Sequence, residues 1–176
     1  MKETIFYELS MKKPLSISTI FKSQERIKIF FKDSKRFELE NVKSLMGLIG
    51  LYFIFLNDIE INYPFKKSKL IYIGMSEKKT NSIGNRLAGH ISGQSGNLGL
   101  INYGKVDLLQ FTYINFEMLK NLWVRSIEDL ESYFILDFVN NYGVYPICNN
   151  KTGYEITKVK IDLEMEIDWH YFEKQE

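Results

Sequence analysis

Cysteine and proline are scarce in this chain of 176 residues, and neither sign of charge prevails. The single cysteine, Cys148, has no partner for an internal disulfide, which is typical of a protein in a reducing cytoplasm. Three prolines interrupt the sequence, and no stretch rich in Pro, Gly or Ser marks a linker. The composition is 45% hydrophobic and 26% charged, which excludes disordered, collagen-like and low-complexity proteins.

Long hydrophobic runs are also lacking. The most apolar stretch, residues 45–56, is far shorter than the roughly 20 residues that a membrane helix needs. Residues 1–13 mix polar and apolar side chains and lack the apolar run of a signal peptide. We therefore expect a cytoplasmic protein without a membrane span. Its length predicts one globular domain, since about 100–200 residues usually form a single core.

The net charge of +1 gives no indication of a nucleic-acid partner, but its distribution is uneven. Residues 1–110 carry a net charge of +7 and residues 111–176 a net charge of −6. Such asymmetry is typical of a surface that faces a polyanion, and equally of two solvated faces of opposite sign. Charge alone does not decide between them.

Hydrophobic periodicity predicts an α+β fold, in which a small antiparallel sheet is flanked by helices. Strands are predicted at 26–32, at 37–40 after a turn at 33–34, and at 48–55, 69–73, 106–114 and 159–169. Helices are predicted at 83–91 and from 126 to about 140, a long hairpin loop at 57–68, and a glycine-punctuated loop at 92–104. The strand at 159–169 alternates apolar residues with mostly acidic ones, so we expect an acidic outer face.

Three short features that can carry chemistry follow one another along the chain. Gly50-Leu51-Tyr52 lies in a buried strand, and Tyr72-Ile73-Gly74 ends the next strand. Arg86 and His90 are four residues apart and therefore share one face of a helix. Taken singly, each has an ordinary structural explanation, because tyrosines pack beside strand glycines and Arg and His occupy solvated helix faces.

Glu131 is harder to explain as an ordinary surface residue. At helical spacing it shares a stripe with Ile127, Phe134 and Phe138, so its carboxylate is expected to point inward. Burying an unpaired carboxylate costs several kcal/mol, so Glu131 needs either a basic side chain or a metal ion. The segment Pro146-Ile147-Cys148-Asn149 follows this helix.

Together and in this order, these features resemble the GIY-YIG nuclease family. Gly50-Leu51-Tyr52 stands where the family has Gly-Ile-Tyr, and Tyr72-Ile73-Gly74 matches its second signature. The pattern from Arg86 to His90 is similar to the restriction-endonuclease branch of the family. The separation of the two signatures implies an insertion at 57–68.

The later features extend the same resemblance. The helix that carries Glu131 looks like the metal-binding helix of the family, and Pro146-x-x-Asn149 looks like its closing motif. The resemblance covers residues 47–151, roughly 60% of the chain. It implies a GIY-YIG-like nuclease core at 46–151, an N-terminal strand-containing extension at 1–45 and a C-terminal strand extension at 152–176.

The resemblance implies a DNA endonuclease that hydrolyses phosphodiester bonds with Mg²⁺ or Mn²⁺. Glu131 would hold the metal, and Arg86 would pair with the scissile phosphate. Tyr52 would act as general base or orient the attacking water, with Tyr72 and His90 completing its hydrogen-bond chain. Because a tyrosine has a pKa near 10, His90 is an alternative proton acceptor.

DNA is the partner that the resemblance implies, and a homodimer would allow both strands to be cut. Asn149 would brace the site rather than react. Five lysines near the signature strands either contact DNA phosphates or provide solubility. These are Lys66, Lys67, Lys69, Lys78 and Lys79.

Two other functions are compatible with the same residues. The chain would be a non-catalytic nucleic-acid-binding or regulatory module if it had kept the fold without the activity. It would be a repair nickase if it cut only within a larger complex. Restriction, phage defence and mobile elements are the settings that the endonuclease prediction favours.

Overall fold

The computed structural model describes residues 5–6, 18–22, 27–123, 125–149 and 165–174. The strands are β1 Ile5–Phe6, β2 Ser18–Lys22, β3 Ile27–Phe31, β4 Lys35–Arg36, β5 Gly50–Leu56, β6 Ile61–Asn62, β7 Lys67–Ser68, β8 Leu70–Ser76, β9 Leu109–Asn115 and β10 Met165–Ile167. The helices are α1 Leu39–Val42, α2 Ile83–Ile91, α3 Leu98–Tyr103 and α4 Ile127–Tyr142. Short helical turns lie at Lys43–Leu45, Phe116–Met118 and Trp169–Phe172. The predicted α+β class is confirmed.

The central sheet has the strand order β4-β9-β5-β8, and all of its pairs are antiparallel. All seven residues of β5 are buried, which explains its continuous apolar sequence. In register, Tyr52 lies opposite Gly74 of β8 on one side and Tyr113 of β9 on the other. Hydrogen bonding between β5 and β8 thus brings the first and second signatures together.

A second sheet has the order β1-β2-β3-β10, in which β10 runs parallel to β3. Ile27 and Ile29 of β3 are buried in the same apolar cluster as Phe53 of the central sheet. Trp169 and Phe172, which follow β10, belong to that cluster too. Strands β3 and β10 and the turn that follows β10 therefore share a core with the motif-bearing strands.

The two faces of β5 are covered by different helices. Phe53 packs on one face in the cluster that contains Phe134 of α4. Tyr52 and Ile54 face the opposite side, in the cluster that contains Leu87 of α2. Because β8 is the edge strand, side chains from α2 and α4 can meet beyond it.

The predicted strand at 37–40 is wrong, since α1 begins at Leu39. The apolar alternation of Phe37 and Leu39 suggests a strand, but Leu39 is half exposed. The buried positions are Val42 and Leu45, whose spacing of three is helical and suits packing beside α2. Four residues are too few to distinguish the two-residue period of a strand from the 3.6-residue period of a helix.

The predicted loop at 92–104 is wrong in its second half, which contains α3. The side chain of Asn97 accepts a hydrogen bond from the backbone N–H of Leu100 and begins the helix. Leu100 is buried beneath it, while the surrounding glycines hide the short helical pattern in the sequence. The following strand begins at Leu109, three residues later than predicted, because Val106 is exposed.

The other predicted elements are close to those observed. The predicted helix at 83–91 matches α2, and α4 continues to Tyr142, where Gly143 ends it with a φ of 91°. The predicted hairpin loop at 57–68 contains the short pair β6 and β7. The signature strands are found at β5 and β8.

The last predicted strand, 159–169, is confirmed at β10, and residues 159–164 lie outside the described part of the chain. Its predicted end is wrong, because Trp169 begins a short helical turn. Within β10 the alternation is as predicted: Met165 and Ile167 are buried, whereas Glu166 faces outward and pairs with Lys28 at 2.6 Å. Among the helices that the structure describes, none is long and apolar enough to span a bilayer.

Candidate active site

Both signature glycines are required by close packing within the central sheet. A Cβ atom at Gly50 would lie 2.0 Å from the carbonyl oxygen of Ile114 on β9. A Cβ atom at Gly74 would lie 2.5 Å from Cζ of Tyr52. The ring of Tyr52 therefore extends across the backbone of β8 toward α2, where it meets the side chains of that helix.

Helix α2 supplies Arg86 and His90. Its first turn is capped by Ser82, whose hydroxyl accepts a hydrogen bond from the N–H of Asn85 at 3.3 Å. Leu87 is buried against the sheet. The register set by this buried face directs Arg86 and His90, one turn apart, toward the free edge of β8.

A polar cleft of about 600 Å³ lies at that edge. Five of the six residues predicted as catalytic line it, namely Tyr72, Arg86, His90, Glu131 and Asn149. They come from β8, α2, α4 and the segment after α4, so only the fold brings them together. Tyr52 is fully buried behind this wall.

His90 connects the buried tyrosine with the cleft. Its Nε2 atom lies 3.1 Å from the hydroxyl of Tyr52, and its Nδ1 atom lies 2.7 Å from the hydroxyl of Ser95. The ring of Tyr72 packs edge-on against the imidazole, with 5.1 Å between centroids. Burial, and then the charge of Arg86, lower the pKa of His90 to about 4. The imidazole is therefore neutral at neutral pH and can accept a proton.

Tyr52 lies in an environment that opposes ionisation. Burial, and then the neighbouring Tyr72, raise the pKa of Tyr52 well above its usual range, although Arg86 acts in the opposite direction. A free Tyr52 phenolate is therefore not the form present at neutral pH. If the phenol donates its proton to His90 while it accepts a second proton, no buried phenolate has to form.

Arg86 is half-buried between the two tyrosines and Glu131. Burial raises the pKa of Tyr72 as it raises that of Tyr52, and the guanidinium lies close enough to both hydroxyls to oppose these rises by charge and hydrogen bonding. Its Nε atom is buried and has no hydrogen-bond partner within the described residues. A buried N–H without an acceptor costs about 1–3 kcal/mol. Arg86 as a whole is half-buried and lines the cleft, so its side chain can meet an anion there.

Asn149 is committed to the backbone of β8. Its Oδ1 atom accepts from the N–H of Ile73 at 2.9 Å, and its Nδ2 atom donates to the carbonyl of Ile73 at 2.7 Å. Next to it, the N–H of Cys148 donates to the carbonyl of Ile71. The segment after α4 thus continues the hydrogen bonding of the edge strand and holds the Tyr72 region in place.

Glu131 lies on the α4 wall of the cleft and is half-buried, beside the fully buried Leu130 and Phe134. In the described part of the chain, no three His, Cys, Asp or Glu side chains form a metal-binding group. A divalent cation here would depend on one carboxylate, with water and a substrate oxygen as further ligands. Mg²⁺ is commonly held in this way, so the polar, open position of Glu131 is suited to it.

The five predicted DNA-contacting lysines fall on two separate parts of the chain. Lys66, Lys67 and Lys69 precede β8, whereas Lys78 and Lys79 follow it and lie near the cleft residue Asn81. The Nζ atom of Lys69 donates to the carbonyl of Asn57, and that of Lys66 lies 4.0 Å from a carboxylate oxygen of Glu173. Seven strand residues, about 23 Å in length, separate the two groups.

Sequence reasoning missed Ser95, which contacts His90 directly. Four amide side chains on the cleft wall, Asn81, Asn85, Gln94 and Asn97, were missed as well. The available signal was the position of Ser95, five residues after His90 in a segment rich in glycine, where a tight return of the chain can occur.

No protein-family model, curated protein or solved structure matches this chain significantly.

Proposed function

We propose that this protein is a Mg²⁺-dependent DNA endonuclease of the GIY-YIG type. The observation that supports the proposal is the meeting of Tyr72, Arg86, His90 and Glu131 in one polar cleft, with Tyr52 hydrogen-bonded behind it. These residues lie on four separate segments, and their types match the needs of phosphodiester hydrolysis. Restriction, phage defence and mobile elements are its proposed settings.

Arg86 is the proposed phosphate-binding group. Phosphodiester hydrolysis gathers negative charge on the phosphate oxygens and on the leaving oxygen, so fixed positive charge is most valuable there. The side chain of Arg86 lines the cleft and is half-buried, so it brings fixed positive charge to a phosphate bound there. A guanidinium also fits two phosphate oxygens at once.

Tyr52 and His90 are proposed to move the proton of the attacking water. The hydroxyl of Tyr52 donates to Nε2 of the neutral His90, and Tyr72, which lines the cleft, links Tyr52 to the water by a hydrogen bond. As the water attacks phosphorus, its proton passes to the Tyr72 oxygen, the Tyr72 proton passes to Tyr52, and the Tyr52 proton passes to His90. No free phenolate is needed, which agrees with the raised pKa of Tyr52. Tyr72 lies beside both groups and orients the water.

Glu131 is the proposed metal ligand. When bound, the divalent cation would stabilise the negative charge on the departing 3′ oxygen. The carboxylate of Glu131 would hold it on the α4 wall of the cleft. Asn149 keeps β8, and therefore Tyr72, in the required position.

Cleavage of supercoiled plasmid tests this function directly. Purified protein is incubated with Mg²⁺ or with EDTA, and Glu131→Gln is run in parallel with the exposed α4 control Glu128→Gln. We expect nicked or linear product with Mg²⁺ for the wild type and Glu128→Gln, and none with EDTA or Glu131→Gln. Intact plasmid in every lane, or equal cleavage by Glu131→Gln, would contradict the proposal.

A further inference from the structure

The loop after α2 returns to the helix and places a hydroxyl on the far side of His90. The Ser95 Oγ atom lies 2.7 Å from Nδ1, opposite the ring nitrogen that faces Tyr52. The backbone N–H of Ser95 donates to the carbonyl of Gly89 at 3.1 Å. The backbone of Ser95 is thus tied to the helix that carries the imidazole.

Two glycines set the path of this return. Gly93 and Gly96 have φ values of 77° and 68°, in the left-handed region that glycine adopts at little cost. The N–H of Gly93 donates to the carbonyl of His90, and the N–H of Gly96 donates to the carbonyl of Gly93. Ser95 therefore stands in a closed turn whose backbone is fixed by these bonds.

The hydrogen-bond partners favour one tautomer of His90. A neutral imidazole has one N–H donor and one acceptor nitrogen, and here each nitrogen faces a hydroxyl. A phenol is a much stronger acid than an imidazole N–H, so Tyr52 is the natural donor to Nε2. Arg86 can only donate, so it occupies one acceptor site on the Tyr52 oxygen. The Tyr72 hydroxyl is the other hydrogen-bond partner of Tyr52, and when it donates to the second acceptor site the phenol proton is left for His90.

The opposite nitrogen then carries the proton. The Ser95 hydroxyl accepts readily at this position, and its neighbour, the N–H of Asn97, also points at the Ser95 oxygen at 3.4 Å. When Nδ1–H donates to Ser95, each of the hydrogen bonds that join Arg86, Tyr52, His90 and Ser95 pairs one donor with one acceptor.

We infer that Ser95 is a positioning residue whose hydroxyl holds His90 in the tautomer protonated at Nδ1, leaving Nε2 free to take the Tyr52 proton. The catalytic consequence rests on the proposed nuclease function, whereas the tautomer itself is a property of the free protein. Without the Ser95 acceptor, the tautomer protonated at Nε2 competes with the tautomer protonated at Nδ1. A protonated Nε2 cannot accept the proton of Tyr52.

Nitrogen NMR of the imidazole rings tests the tautomer without DNA or metal. The chain has two histidines, so the His90 signals are distinguished from those of the exposed His170 by one His170→Gln variant. At pH 7 we expect the wild type to show protonated Nδ1 and unprotonated Nε2 at His90. Ser95→Ala should lose this single-tautomer signature, Ser95→Thr should restore it, and the exposed loop control Ser92→Ala should leave it unchanged.

Plasmid cleavage then tests the consequence. We expect Ser95→Ala to lower kcat by about 10- to 100-fold with little change in KM, and Ser95→Thr to recover most of the loss. An Nε2–H tautomer in the wild type, or a tautomer unchanged in Ser95→Ala, would overturn the inference. If the wild type does not cut DNA but the NMR result is as expected, the nuclease proposal fails and the role of Ser95 in holding the tautomer stands.

Discussion

The ring of Tyr52 lies directly over the α-carbon of Gly74, so that a Cβ atom there would approach the ring to 2.5 Å. The two residues face each other across neighbouring antiparallel strands. The tyrosine of the first signature and the glycine of the second are thus one packing unit. The same contact directs the Tyr52 hydroxyl to His90, so the glycine affects both stability and the proposed proton transfer.

Gly74→Ala is expected to destabilise the protein. The added methyl group must displace the buried Tyr52 ring or the strand, and such overpacking costs about 1–3 kcal/mol. Urea denaturation measures the free energy of unfolding. We also expect the displaced phenol to lose its 3.1 Å bond to His90, so plasmid cleavage should fall more steeply than stability does.

Gly89→Ala is the matched control. This glycine lies inside α2, and a Cβ atom there would meet nothing within 4 Å. Alanine in a helix interior is more favourable than glycine by about 0.5–1 kcal/mol, so the variant should be slightly more stable. Equal stability of Gly74→Ala and the wild type would contradict the packing described here.

Much of the scaffold could be predicted because its elements have long periodic patterns. The seven apolar residues of β5 and the helical stripe of α4 leave little alternative. Short elements were mistaken: residues 37–40 show apolar alternation although α1 begins at Leu39, and α3 is hidden among glycines. In these segments, tertiary burial of Val42 and Leu100 decided the structure.

The candidate site was predictable only in part for a different reason. Signature residues such as Arg86 and His90 are recognisable by spacing, and their meeting in the cleft was implied by the resemblance. Ser95 was not predicted, because its contact depends on two left-handed glycines that close the turn. Nor does the sequence show that both amide atoms of Asn149 bind one residue, Ile73, from 76 positions away.

Stability should depend on pH through His90. Its pKa is about 4 in the folded protein, against 6.5 as the ordinary value. Between these values the unfolded chain binds a proton that the folded protein does not, so this contribution to stability is full above pH 6.5 and is lost as the pH falls toward 4. Urea denaturation from pH 7.5 to 4 measures it.

The difference between wild type and His90→Gln isolates this effect from other titrating groups. We expect the wild type to lose more stability than His90→Gln over this range of pH. Parallel pH curves for wild type and His90→Gln would show that burial does not depress the pKa of His90.

Asn149 should tolerate neither shortening nor a change of charge. Asn149→Ala leaves the buried N–H and carbonyl of Ile73 unpaired, and Asn149→Asp keeps the acceptor but loses the donor. Each change should lower the free energy of unfolding by about 1–3 kcal/mol. Asn102→Ala, at an exposed site on α3, is the control and should be neutral. An Asn149→Asp variant as stable as the wild type would refute a two-bond clamp.

Arg86→Lys should abolish most of the proposed activity although it keeps the positive charge. The ammonium group of lysine has no planar pair of donors, so it cannot hold two phosphate oxygens while it also faces Tyr52 and Tyr72. We expect kcat for plasmid cleavage to fall by about 10²- to 10³-fold, which is typical when one transition-state donor is removed.

The matched control is Arg36→Lys, because Arg36 is exposed and lies 3.9 Å from Glu38 in a surface ion pair. It should cut plasmid like the wild type. Adding guanidinium ion at millimolar concentration to Arg86→Ala separates the role of the guanidinium group from that of the rest of the side chain. A free guanidinium ion in the vacated space restores the planar pair of donors but not the covalent link to the protein. Partial recovery would assign the loss to the guanidinium itself. Full activity of Arg86→Lys would instead show that a positive charge suffices for plasmid cleavage and that the guanidinium is not needed as a phosphate donor.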